Sequence, residues 1–531
     1  MRRVHLAVLL GFAAFTAALP SPSTTHNNHR STKDVKVLIL GGGVAGVIAA
    51  RTLHRKGIDD FLIVEARDEL GGRMQDYTIG VPGKQYVIEL GPNWIQGTQT
   101  GNGTANPILT LARKHHVKNQ YNDLDDSITT YDYNGLKDYR NLLDTSVDQF
   151  TQVGVIAGGR VLTQQVDLGL QSAYGIIGAT PKNMYEAACQ YYQVDWVRMQ
   201  VFSFLDVFIP LIIVTAHPID AQAPDQNSWI ASAWNNNFTF DVDMGGFSDD
   251  NNLCIDQRGF KTIIQAEAAD FLQPVQVSLN SVVTTIAYSG DGVTVTLKNG
   301  TFLTADYVLC TFSIGVLQYG DIAFKPALPS WKIEAIQSMV MATYTKIFLQ
   351  FNEKFWFDTE MAVYADKERG RYPIWQSLDH VKFFPGSGLV FVTVTGDYSL
   401  RIEGMQDSDV QEEVMEVLRA MYPNITVPDP VAFHFKRWHA DPLFRGSYSN
   451  WPPSFLPGHS ENLRATVDKS LWFAGEATSL KYYGFLHGAY FEGLNAGEEI
   501  AKCVEGPACT GREHLNSVVD ASPYPFVSIT P

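Results

Sequence analysis

Cysteine is scarce in this sequence, with five cysteines in 531 residues. Five cysteines form too few disulfides to hold a chain of this length together, which excludes a fold stabilised mainly by disulfides. Cys503 and Cys509 lie close together near the C-terminus and are the one candidate disulfide, whose formation the sequence leaves open. Cys310 lies in an apolar stretch and is predicted to be a buried thiol, whereas the sequence does not decide the states of Cys189 and Cys254.

The chain also lacks positive charge. It has 40 lysines and arginines against 56 aspartates and glutamates, which gives a formal net charge of −16. A nucleic-acid-binding surface needs a basic footprint, so nucleic acid is excluded as a partner. An acidic surface either concentrates cations or keeps a secreted protein soluble, and the charge alone favours the second explanation.

No internal repeat is present, and no uninterrupted apolar run reaches the roughly 20 residues that a membrane-spanning helix needs. We therefore predict no stable membrane span. The apolar stretch from Val4 to Leu19 follows two arginines and is typical of a secretory signal peptide, here residues 1–18. The polar residues 19–33 are predicted to be a disordered lead-in. We expect a protein secreted to the extracellular space or to the lumen of the secretory pathway.

Four Asn-x-Thr sequons agree with secretion, since each can accept an N-glycan if it is exposed. Such triplets also arise by chance, so we expect about two or three of them to be used. The acceptor residues are Asn102, Asn237, Asn299 and Asn424.

The strongest motif points to a nucleotide. The apolar residues 35–40 run directly into Gly41, Gly43 and Gly46, spaced as G-x-G-x-x-G, with Ala45 among the small residues of the helix that follows. This spacing permits a tight turn, close approach of the backbone to a pyrophosphate and close packing of helix on strand. The helix N-terminus then offers free N–H groups and a positive partial charge to the phosphates.

A second apolar strand, 60–64, ends in Glu65, whose carboxylate can accept both hydroxyls of an adenosine ribose. An acid at this place favours an unphosphorylated dinucleotide. The alternative is a glycine-rich turn without a ligand, which the matching strand, helix and acid disfavour. After Ala66 and Arg67, two glycines including Gly72 lead to Arg73, and an arginine there can neutralise phosphate or approach a flavin.

A glycine-bounded loop follows, in which the backbone can pass close to a ring system: Gly91, Pro92, Asn93 and Trp94. With the glycine turn, E-A-R-x-x-x-G-G-R and G-x-N-W in this order, the chain resembles the flavin-containing amine oxidases. Its later segments resemble the secreted plant-type polyamine oxidases of that family. The resemblance runs from about Val35 to about Cys509, nearly the whole mature chain.

The resemblance implies an α/β fold with a discontinuous, Rossmann-like FAD-binding lobe and an α+β substrate lobe, in an amine-oxidase/glutathione-reductase-like architecture. The FAD-binding lobe is predicted over residues 34–100, 251–315 and 437–505. The substrate lobe is predicted over 101–250 and 316–436, and residues 506–531 form a C-terminal tail. Helices are expected from Asn106 to His116 and from Pro181 to Tyr192, and strands over 275–283 and 293–297.

Residues 340–351 alternate as a strand with one cation, Lys346, among apolar neighbours. A lysine in such a run usually extends its ammonium to solvent, and on the sequence alone this interpretation is preferred. The resemblance instead implies that Lys346 lies under the flavin and holds a water against its reactive nitrogen. On that basis Lys346 is the first predicted catalytic residue.

Further contacts with FAD are implied by the resemblance. Glu476, in the Gly475-Glu476 pair after a short strand, would bind the ribityl or phosphate region. Phe485 and Leu486 open a helix whose N-terminus would point at the flavin and stabilise negative charge on it. Val283 would pair with the adenine edge, although an ordinary strand valine is as good an interpretation. Residues 484–490 contain no cysteine, so FAD should be bound without a covalent bond.

Aromatic residues are predicted to form the substrate walls. By resemblance, Tyr448 and Phe485 would sandwich the amine before the flavin and Trp438 would flank them. Ring faces suit both an alkyl chain and a cationic amine. Most aromatic residues simply pack in a core, so this interpretation depends on the neighbouring flavin motifs. No metal site is predicted.

The chain departs from the plant-type pattern at two tunnel positions, where Gln96 and Val197 replace glutamates that would read the charges of a polyamine. Phe485 also stands where a tyrosine is usual. Loss of two carboxylates should weaken polycation binding, since each charge-assisted hydrogen bond contributes about 1.5–3 kcal/mol. The sequence thus predicts an amine oxidase but does not determine which amine it oxidises.

The expected reaction removes a hydride from the carbon next to an amine nitrogen, giving an imine that water hydrolyses, while oxygen becomes hydrogen peroxide. The partners are then a small-molecule amine and molecular oxygen. Two alternatives stay open: an L-amino acid oxidase, which would need an arginine for the substrate carboxylate, and a non-catalytic secreted flavoprotein, which the loss of both glutamates favours.

Residues 201–222 do not fit the family's pattern, because the segments on either side have the family's spacing only when these residues are removed. They are more apolar than a surface loop requires and are too short and proline-broken for a membrane span. Valine codons begin with GT and glutamine can be encoded CAG, so both ends are compatible with splice signals. We predict a translated intron or a dispensable insertion, with a hydrophobic plug or membrane-touching finger as the alternative.

Overall fold

A computed structural model describes residues 31–163, 165–197, 221–453, 455–506 and 509–516. The predicted signal peptide and all but the last two residues of the predicted insertion lie outside the described residues. Among the described helices, none combines the length and apolar character needed to cross a bilayer.

The strands in chain order are β1 (Ser31–Leu40), β2 (Phe61–Val64), β3 (Asp76–Ile79), β4 (Tyr86–Glu89), β5 (Trp94–Gln96), β6 (Asn119–Tyr121), β7 (Ile128–Asp132), β8 (Gly135–Leu136), β9 (Asn251–Cys254), β10 (Val277–Ser278), β11 (Val283–Ser289), β12 (Gly292–Leu297), β13 (Phe302–Cys310), β14 (Ala323–Lys325), β15 (Val340–Ala342), β16 (Tyr344–Gln350), β17 (Met361–Ala365), β18 (Ile374–Ser377), β19 (Leu389–Thr395), β20 (Ala432–Phe435), β21 (Tyr448–Asn450) and β22 (Leu471–Phe473).

The α-helices are α1 (Val44–Arg55), α2 (Pro107–Lys114), α3 (Arg140–Leu162), α4 (Leu170–Ile176), α5 (Met184–Gln190), α6 (Trp229–Phe240), α7 (Thr262–Ala269), α8 (Ile314–Tyr319), α9 (Ser330–Gln337), α10 (Gly396–Glu403), α11 (Asp407–Met421), α12 (Pro457–Arg464) and α13 (Leu486–Glu505). A π-helical turn over Tyr191–Val197 continues α5.

The first sheet has the strand order β10-β2-β1-β13-β12-β11-β14, with β22 added beside β13. Strands β10, β2, β1, β13 and β22 are parallel to one another, with Leu38 opposite both Leu62 and Val308. Their apolar side chains are buried on both faces, as parallel strands between helices require. Helices α1 and α13 pack together over one face through small residues such as Gly493, where a Cβ would lie 2.8 Å from the Ala45 Cα. The α/β fold class is confirmed.

Three predictions about this sheet need correction. Residues 31–33, predicted to be disordered, already pair with β13 as the start of β1. The single strand predicted over 275–283 is interrupted, because only 277–278 pair with β2 before the chain turns into β11. Strand β14 pairs with β11, so the sheet extends beyond residue 315, where the second FAD-binding segment was predicted to end.

The second sheet has the order β20-β16-β19-β18-β17-β7-β8 and takes its strands from both predicted substrate segments. Its core includes Leu349, Trp375 and Val392, which pack against Val414 and Leu418 of α11. The strand predicted over 340–351 divides at Thr343: β15 pairs with β21, whereas β16 enters this sheet. That division places the two halves of the predicted strand in different sheets.

The C-terminal disulfide between Cys503 and Cys509 is present, and Cys189, Cys254 and Cys310 are buried thiols outside the disulfide. Three sequon asparagines, at 102, 299 and 424, are exposed. Asn237 is 3% exposed inside α6. A glycosyl group does not fit at a buried helical position, so Asn237 is withdrawn as a glycan acceptor in the folded protein.

Candidate active site

The candidate site lies at the carboxyl ends of the parallel strands of the first sheet. Gly41 follows β1, Glu65 follows β2, Thr311 follows β13 and Gly475 follows β22 after one intervening residue. All four line one cavity of about 600 Å³. Open α/β sheets bind their ligands in the crevice outside these strand ends, so the topology alone selects this place.

The three glycines of the turn have three different surroundings. Gly41 has φ +109°, and a Cβ there would lie 2.4 Å from Thr311 Oγ1. A Cβ on Gly46 would lie 2.0 Å from the Gly41 carbonyl oxygen, whereas one on Gly43 would meet only Gly72 Cα, at 3.7 Å, and would otherwise fill the cavity. Tight turn, close helix packing and an open approach for a ligand are the features that a dinucleotide pyrophosphate requires.

Glu65 is buried beside this turn. Its Oε2 accepts a hydrogen bond of 2.6 Å from the Gly42 N–H, and its Oε1 accepts one of 2.8 Å from the Arg67 N–H. The carboxylate is thereby fixed at the tip of β2, where a ribose would lie. The Arg67 guanidinium points elsewhere, to Glu69 and to the Gly72 carbonyl, so it is a structural residue of the loop.

Most predicted site residues line the cavity. These are Gly41, Gly43, Ala45, Glu65, Ala66, Gly72, Arg73, Gly91, Pro92, Asn93, Trp94, Gln96, Val283, Trp438, Tyr448, Gly475, Glu476, Phe485 and Leu486. Gly46, Arg67 and Lys346 are not among its lining residues. Each instead contacts the carbonyl of a lining glycine: Gly41, Gly72 and Gly91, respectively. The cavity and its glycine cradle therefore fit FAD, and the roles of the individual residues stay predictions.

Glu476 joins three parts of the wall. Its carboxylate accepts hydrogen bonds from Arg73 Nη1 at 2.8 Å, from the Gly484 N–H at 2.8 Å, and from the Ser449 hydroxyl and N–H. Arg73 also donates to the Ser447 carbonyl at 3.0 Å. Glu476 thus ties the Arg73 loop, β21 and the turn before α13 together, in addition to lining the cavity.

Lys346 is 3% exposed, and its ammonium donates a hydrogen bond of 2.6 Å to the Gly91 carbonyl. The ammonium does not reach solvent, so the alternative in which Lys346 extends its ammonium to solvent is wrong. Burial lowers the pKa of Lys346, and the charge of Glu89 partly opposes that shift. An amine with a lowered pKa next to the cavity wall is suited to hold or release a proton near neutral pH.

Aromatic rings form part of the cavity lining. The Tyr448 ring centroid lies 6.1 Å from that of Tyr344, and the buried Trp438 packs edge-on against Phe444 at 5.4 Å. Phe485 is 2% exposed, and its ring stacks on His487 at 4.7 Å. All except His487 line the cavity, which gives a wall suited to alkyl groups and to a cationic amine.

Gln96 lies at the end of β5 with its backbone held in place. The buried Asn106 side chain donates to the Gln96 carbonyl at 2.9 Å and contacts Nδ1 of His487 at 3.4 Å. Burial lowers the pKa of His487 to about 3, so this imidazole is neutral and can accept a hydrogen bond. The chain of contacts fixes Gln96 relative to the N-terminus of α13, which has no side-chain cap.

Several lining residues were not predicted. Thr311 and Phe312 follow β13, and the topology rule that selected Gly41 and Glu65 would have found them. Tyr344 lies two residues before Lys346 in β16 and therefore shares its face. Lys298 and Asp321 also line the cavity but belong to no motif that predicts a site. Asp321 accepts a hydrogen bond of 2.9 Å from Arg445.

Fold and site together define a dinucleotide-binding α/β protein with a second, seven-stranded sheet. The chain belongs to the flavin-containing amine oxidoreductase family, whose model matches residues 44–173 and 221–501. Proteins of this family depend on FAD, which confirms the predicted cofactor. The resemblance read from the sequence is confirmed as well, and the protein is a flavin amine oxidase by family.

Two relatives are plant proteins. The chain is 33% identical to polyamine oxidase 6 of Oryza sativa subsp. japonica over 497 residues, which covers 89% of this chain and 92% of the relative. It is 32% identical to polyamine oxidase 1 of Zea mays over 524 residues, covering 94% and 97%. A solved structure of wild-type putrescine oxidase bound to putrescine aligns with TM-score 0.64 at 15% identity over 88% of this chain and 99% of that chain. That last likeness shows the fold alone.

Proposed function

We propose that this protein is a secreted oxidase that converts an amine to an imine and reduces oxygen to hydrogen peroxide. When bound, FAD supplies the two-electron chemistry: a carbon next to the amine nitrogen loses a hydride equivalent, and oxygen receives the two electrons and two protons. Water then hydrolyses the imine to a carbonyl compound and a shorter amine. The observation that carries the proposal is Lys346, buried and bonded to the Gly91 carbonyl at the wall of a dinucleotide cavity.

The chain's own residues would do four things. Glu65 and the glycine turn would hold the adenosine and pyrophosphate. The N-terminus of α13 would stabilise negative charge at its end of the cavity. The aromatic wall would exclude water and orient the amine. Lys346 would hold a proton, or a water, at the wall next to the Gly91 carbonyl.

The described lining argues against an L-amino acid substrate. Its one arginine is Arg73, which is paired with Glu476 and therefore not free to bind a substrate carboxylate. Oxidation of an amine without a carboxylate is thus the better interpretation. The relatives named above are polyamine oxidases, and we extend that substrate class to this chain as a proposal.

A polyamine cannot be recognised here by unpaired carboxylates in the cavity wall. The carboxylates that line the described cavity are Glu65, Asp321 and Glu476, and each already has protein partners. A second positive charge on the substrate would meet aromatic faces and Gln96 instead. We therefore propose an amine whose far end is apolar or acetylated as a better fit than a fully charged polyamine.

A peroxide-coupled screen tests this function. Spermine, spermidine, acetylated polyamines, monoamines and L-amino acids are compared on the same purified protein. Turnover of acetylated polyamines or monoamines above that of spermine supports the proposal. Turnover restricted to L-amino acids contradicts it, and no turnover on any of them favours a non-catalytic secreted flavoprotein.

A further inference from the structure

Trp94 bridges two hydrophobic clusters beside the cavity. Its side chain packs against the cluster that contains Phe485 and also against the cluster that contains Trp438. Trp94 and Gln96 both line the cavity, and as residues i and i+2 of β5 they project from the same face of that strand. The Trp94 indole therefore connects the clusters that supply Phe485 and Trp438 to the predicted amine wall.

The indole is held in place by a buried asparagine. Trp94 Nε1 donates a hydrogen bond of 2.7 Å to Asn122 Oδ1, and Gln376 Nε2 donates to the same oxygen at 2.9 Å. Asn122 is 1% exposed, and its own Nδ2 donates to Glu360 Oε2 at 2.7 Å. Because an indole can only donate and a carboxylate can only accept, these partners fix the orientation of the Asn122 amide.

Glu360 anchors the other end of this network. Its side chain is fully buried, and its Oε2 also accepts a hydrogen bond of 2.8 Å from the Asp123 N–H. Its Oε1 accepts from the Lys382 ammonium at 2.5 Å, and the Lys382 side chain is 37% exposed. Both carboxylate oxygens are thus paired, as a buried charge requires. A continuous row of hydrogen bonds runs from this partly exposed lysine to the cavity wall.

The residues of the network come from different sheets. Asn122 follows β6, which is joined to β5 through β9 in a three-stranded sheet. Glu360 immediately precedes β17 and Gln376 lies in β18, and both of these strands belong to the seven-stranded sheet. A buried network whose members are paired across two sheets specifies one position for the group at its end. Here that group is the indole of Trp94.

We propose that Glu360 is a positioning residue for amine binding, which acts through Asn122 to hold the Trp94 indole in the cavity wall. The inference rests on the proposed function, because the wall is assigned to an amine there. Glu360 itself does not line the cavity. A wall that is already fixed does not have to be ordered when the amine binds, and such preorganisation strengthens binding. Loss of the anchor should therefore raise KM and leave kcat close to its original value.

The first measurement observes Trp94 in the oxidised protein without amine. Purified full-length protein is labelled with ¹⁵N in its ten tryptophan side chains, and the Trp94 indole resonance is assigned as the one missing from Trp94→Phe. Glu360→Met removes both acceptor oxygens and leaves the Asn122 amide without its acceptor. We expect the Trp94 resonance to move, and the KM for the best amine to rise about fivefold or more.

Glu360→Gln separates the hydrogen-bond acceptor from the charge. Its amide oxygen can still accept from Asn122, so the Trp94 resonance and KM should return close to their values in the parent protein. A merely structural role of the ion pair with Lys382 predicts the opposite, because both Glu360 variants lose that pair. Asn122→Asp places a second carboxylate against Glu360 and should move the Trp94 resonance even if Glu360→Met folds poorly.

Glu492→Met is the matched control. Glu492 is also a buried glutamate, 3% exposed, and its carboxylate accepts a hydrogen bond of 3.1 Å from the Thr478 hydroxyl. It lies on α13, and neither Glu492 nor Thr478 lines the cavity. Its replacement should lower the melting temperature, because a buried hydroxyl loses its partner, and should leave the Trp94 resonance in place.

An unmoved Trp94 resonance in Glu360→Met overturns the inference, and so does an equal movement in Glu360→Gln or Glu492→Met. A moved resonance with an unchanged KM also overturns it, since the indole then does not position the amine. The outcome is separate from that of the proposed function. If the parent protein oxidises no amine but the resonance moves as expected, the hold of Glu360 on Trp94 stands and the function fails. If amines are oxidised and the resonance does not move, the function stands and the inference fails.

Discussion

The ammonium of Lys346 and the carbonyl oxygen of Gly91 lie 2.6 Å apart, and this contact joins β16 of the second sheet to the loop that lines the dinucleotide cavity. Lys346 belongs to β16 of the second sheet, whereas Gly91 follows the β3–β4 hairpin. The contact therefore places a titratable group of the second sheet at the wall of the cavity beside the first sheet. An enzyme that oxidises a substrate with a bound cofactor needs such a junction.

For Lys346→Met, we expect FAD to remain bound and at least one half-reaction, reduction by amine or reoxidation by oxygen, to slow by about 10²-fold or more. The reason is the loss of a positioned proton donor, an effect typically of about 10²–10⁴. Stopped-flow absorbance of the flavin measures both half-reactions.

The matched control for that variant is Lys332→Met. Lys332 is also fully buried, but its ammonium donates to the carbonyls of Asn462, Leu463 and Ala465, none of which lines the cavity. Its replacement should lower the melting temperature, because three buried carbonyls lose their donor. The half-reaction rates of the folded protein should not change. Equal rates in Lys346→Met and the parent protein would remove Lys346 from the mechanism.

For Gln96→Glu, we expect tighter binding of spermine and spermidine at neutral pH. Gln96 lines the cavity next to aromatic walls, and a glutamate there is ionised above its usual pKa of about 4.3. One charge-assisted hydrogen bond corresponds to about 1.5–3 kcal/mol, or roughly a tenfold to hundredfold lower KM. Monoamines should show little change. An unaltered or higher KM for spermine would mean that this position does not read substrate charge.

For Glu267→Gln, we expect a loss of stability at neutral pH that disappears in acid. Glu267 joins α7 to α1 and α2 through Arg51 at 2.8 Å, Lys114 at 2.5 Å and His115 at 2.7 Å. Burial alone would raise the pKa of Glu267, but these hydrogen bonds lower it to about 2. The carboxylate therefore stabilises the fold above its unfolded pKa of 4.5, and this contribution is lost as the pH falls toward 2.

Urea unfolding at several pH values checks this. At pH 7 the variant should lose about 3–5 kcal/mol, since it breaks a buried ion-pair cluster. The difference from the parent protein should shrink between pH 4.5 and 2. The exposed pair of Glu412 with Arg419 supplies the control, because Glu412→Gln should change stability by at most about 1 kcal/mol. A pH-independent difference for Glu267→Gln would show that lost packing, and not charge, destabilises it.

Glycosylation tests the proposed secretion. Asn102, Asn299 and Asn424 are exposed, whereas Asn237 is buried in α6. Protein secreted from a eukaryotic host should lose mass on treatment with an N-glycosidase, and single Asn→Gln changes at the exposed sites should each remove one step of that shift. Asn237→Gln should not change the mass beyond the substitution itself. A secreted product without any N-glycan would remove this support for the secretory route.

Much of the cofactor half of the site could be predicted because it depends on local sequence. A strand, a glycine turn and a helix are contiguous in the chain, and Glu65 ends the next strand, so spacing alone reports their geometry. Lys346 was different: the alternating pattern around it favoured a solvent-exposed ammonium, and only the family motif predicted the buried site. The resemblance therefore corrected a prediction from the local pattern, because a local pattern does not show that distant segments bury the lysine.

Other features depend on packing between distant segments and left no local signal. The contact of the β3–β4 hairpin with β16, where the Gln350 side chain donates to the Lys84 carbonyl, joins residues 266 positions apart in the chain. The break at Thr343, which sends β15 and β16 to different sheets, is likewise set by the partners of each strand. Asn237 carries a sequon that burial removes from use.

The predicted insertion over residues 201–222 stays a prediction, and its last two residues have clear places. Ala221 and Gln222 are buried; the Ala221 carbonyl accepts from the Gly396 N–H at 3.2 Å, and the Gln222 side chain accepts from Asn450 at 3.1 Å. The family match resumes at residue 221. An excision ending at Gln222 would therefore remove contacts that belong to the matched fold.

The central claim is that this chain holds FAD and uses it to oxidise an amine. The most direct measurement mixes the purified protein, without oxygen, with the best amine from the peroxide-coupled screen and follows flavin absorbance. The account predicts a yellow protein whose absorbance bleaches on mixing and returns when oxygen is admitted, with one hydrogen peroxide formed per amine oxidised. A colourless protein that takes up no added FAD, or a bound flavin that no amine bleaches, would contradict it.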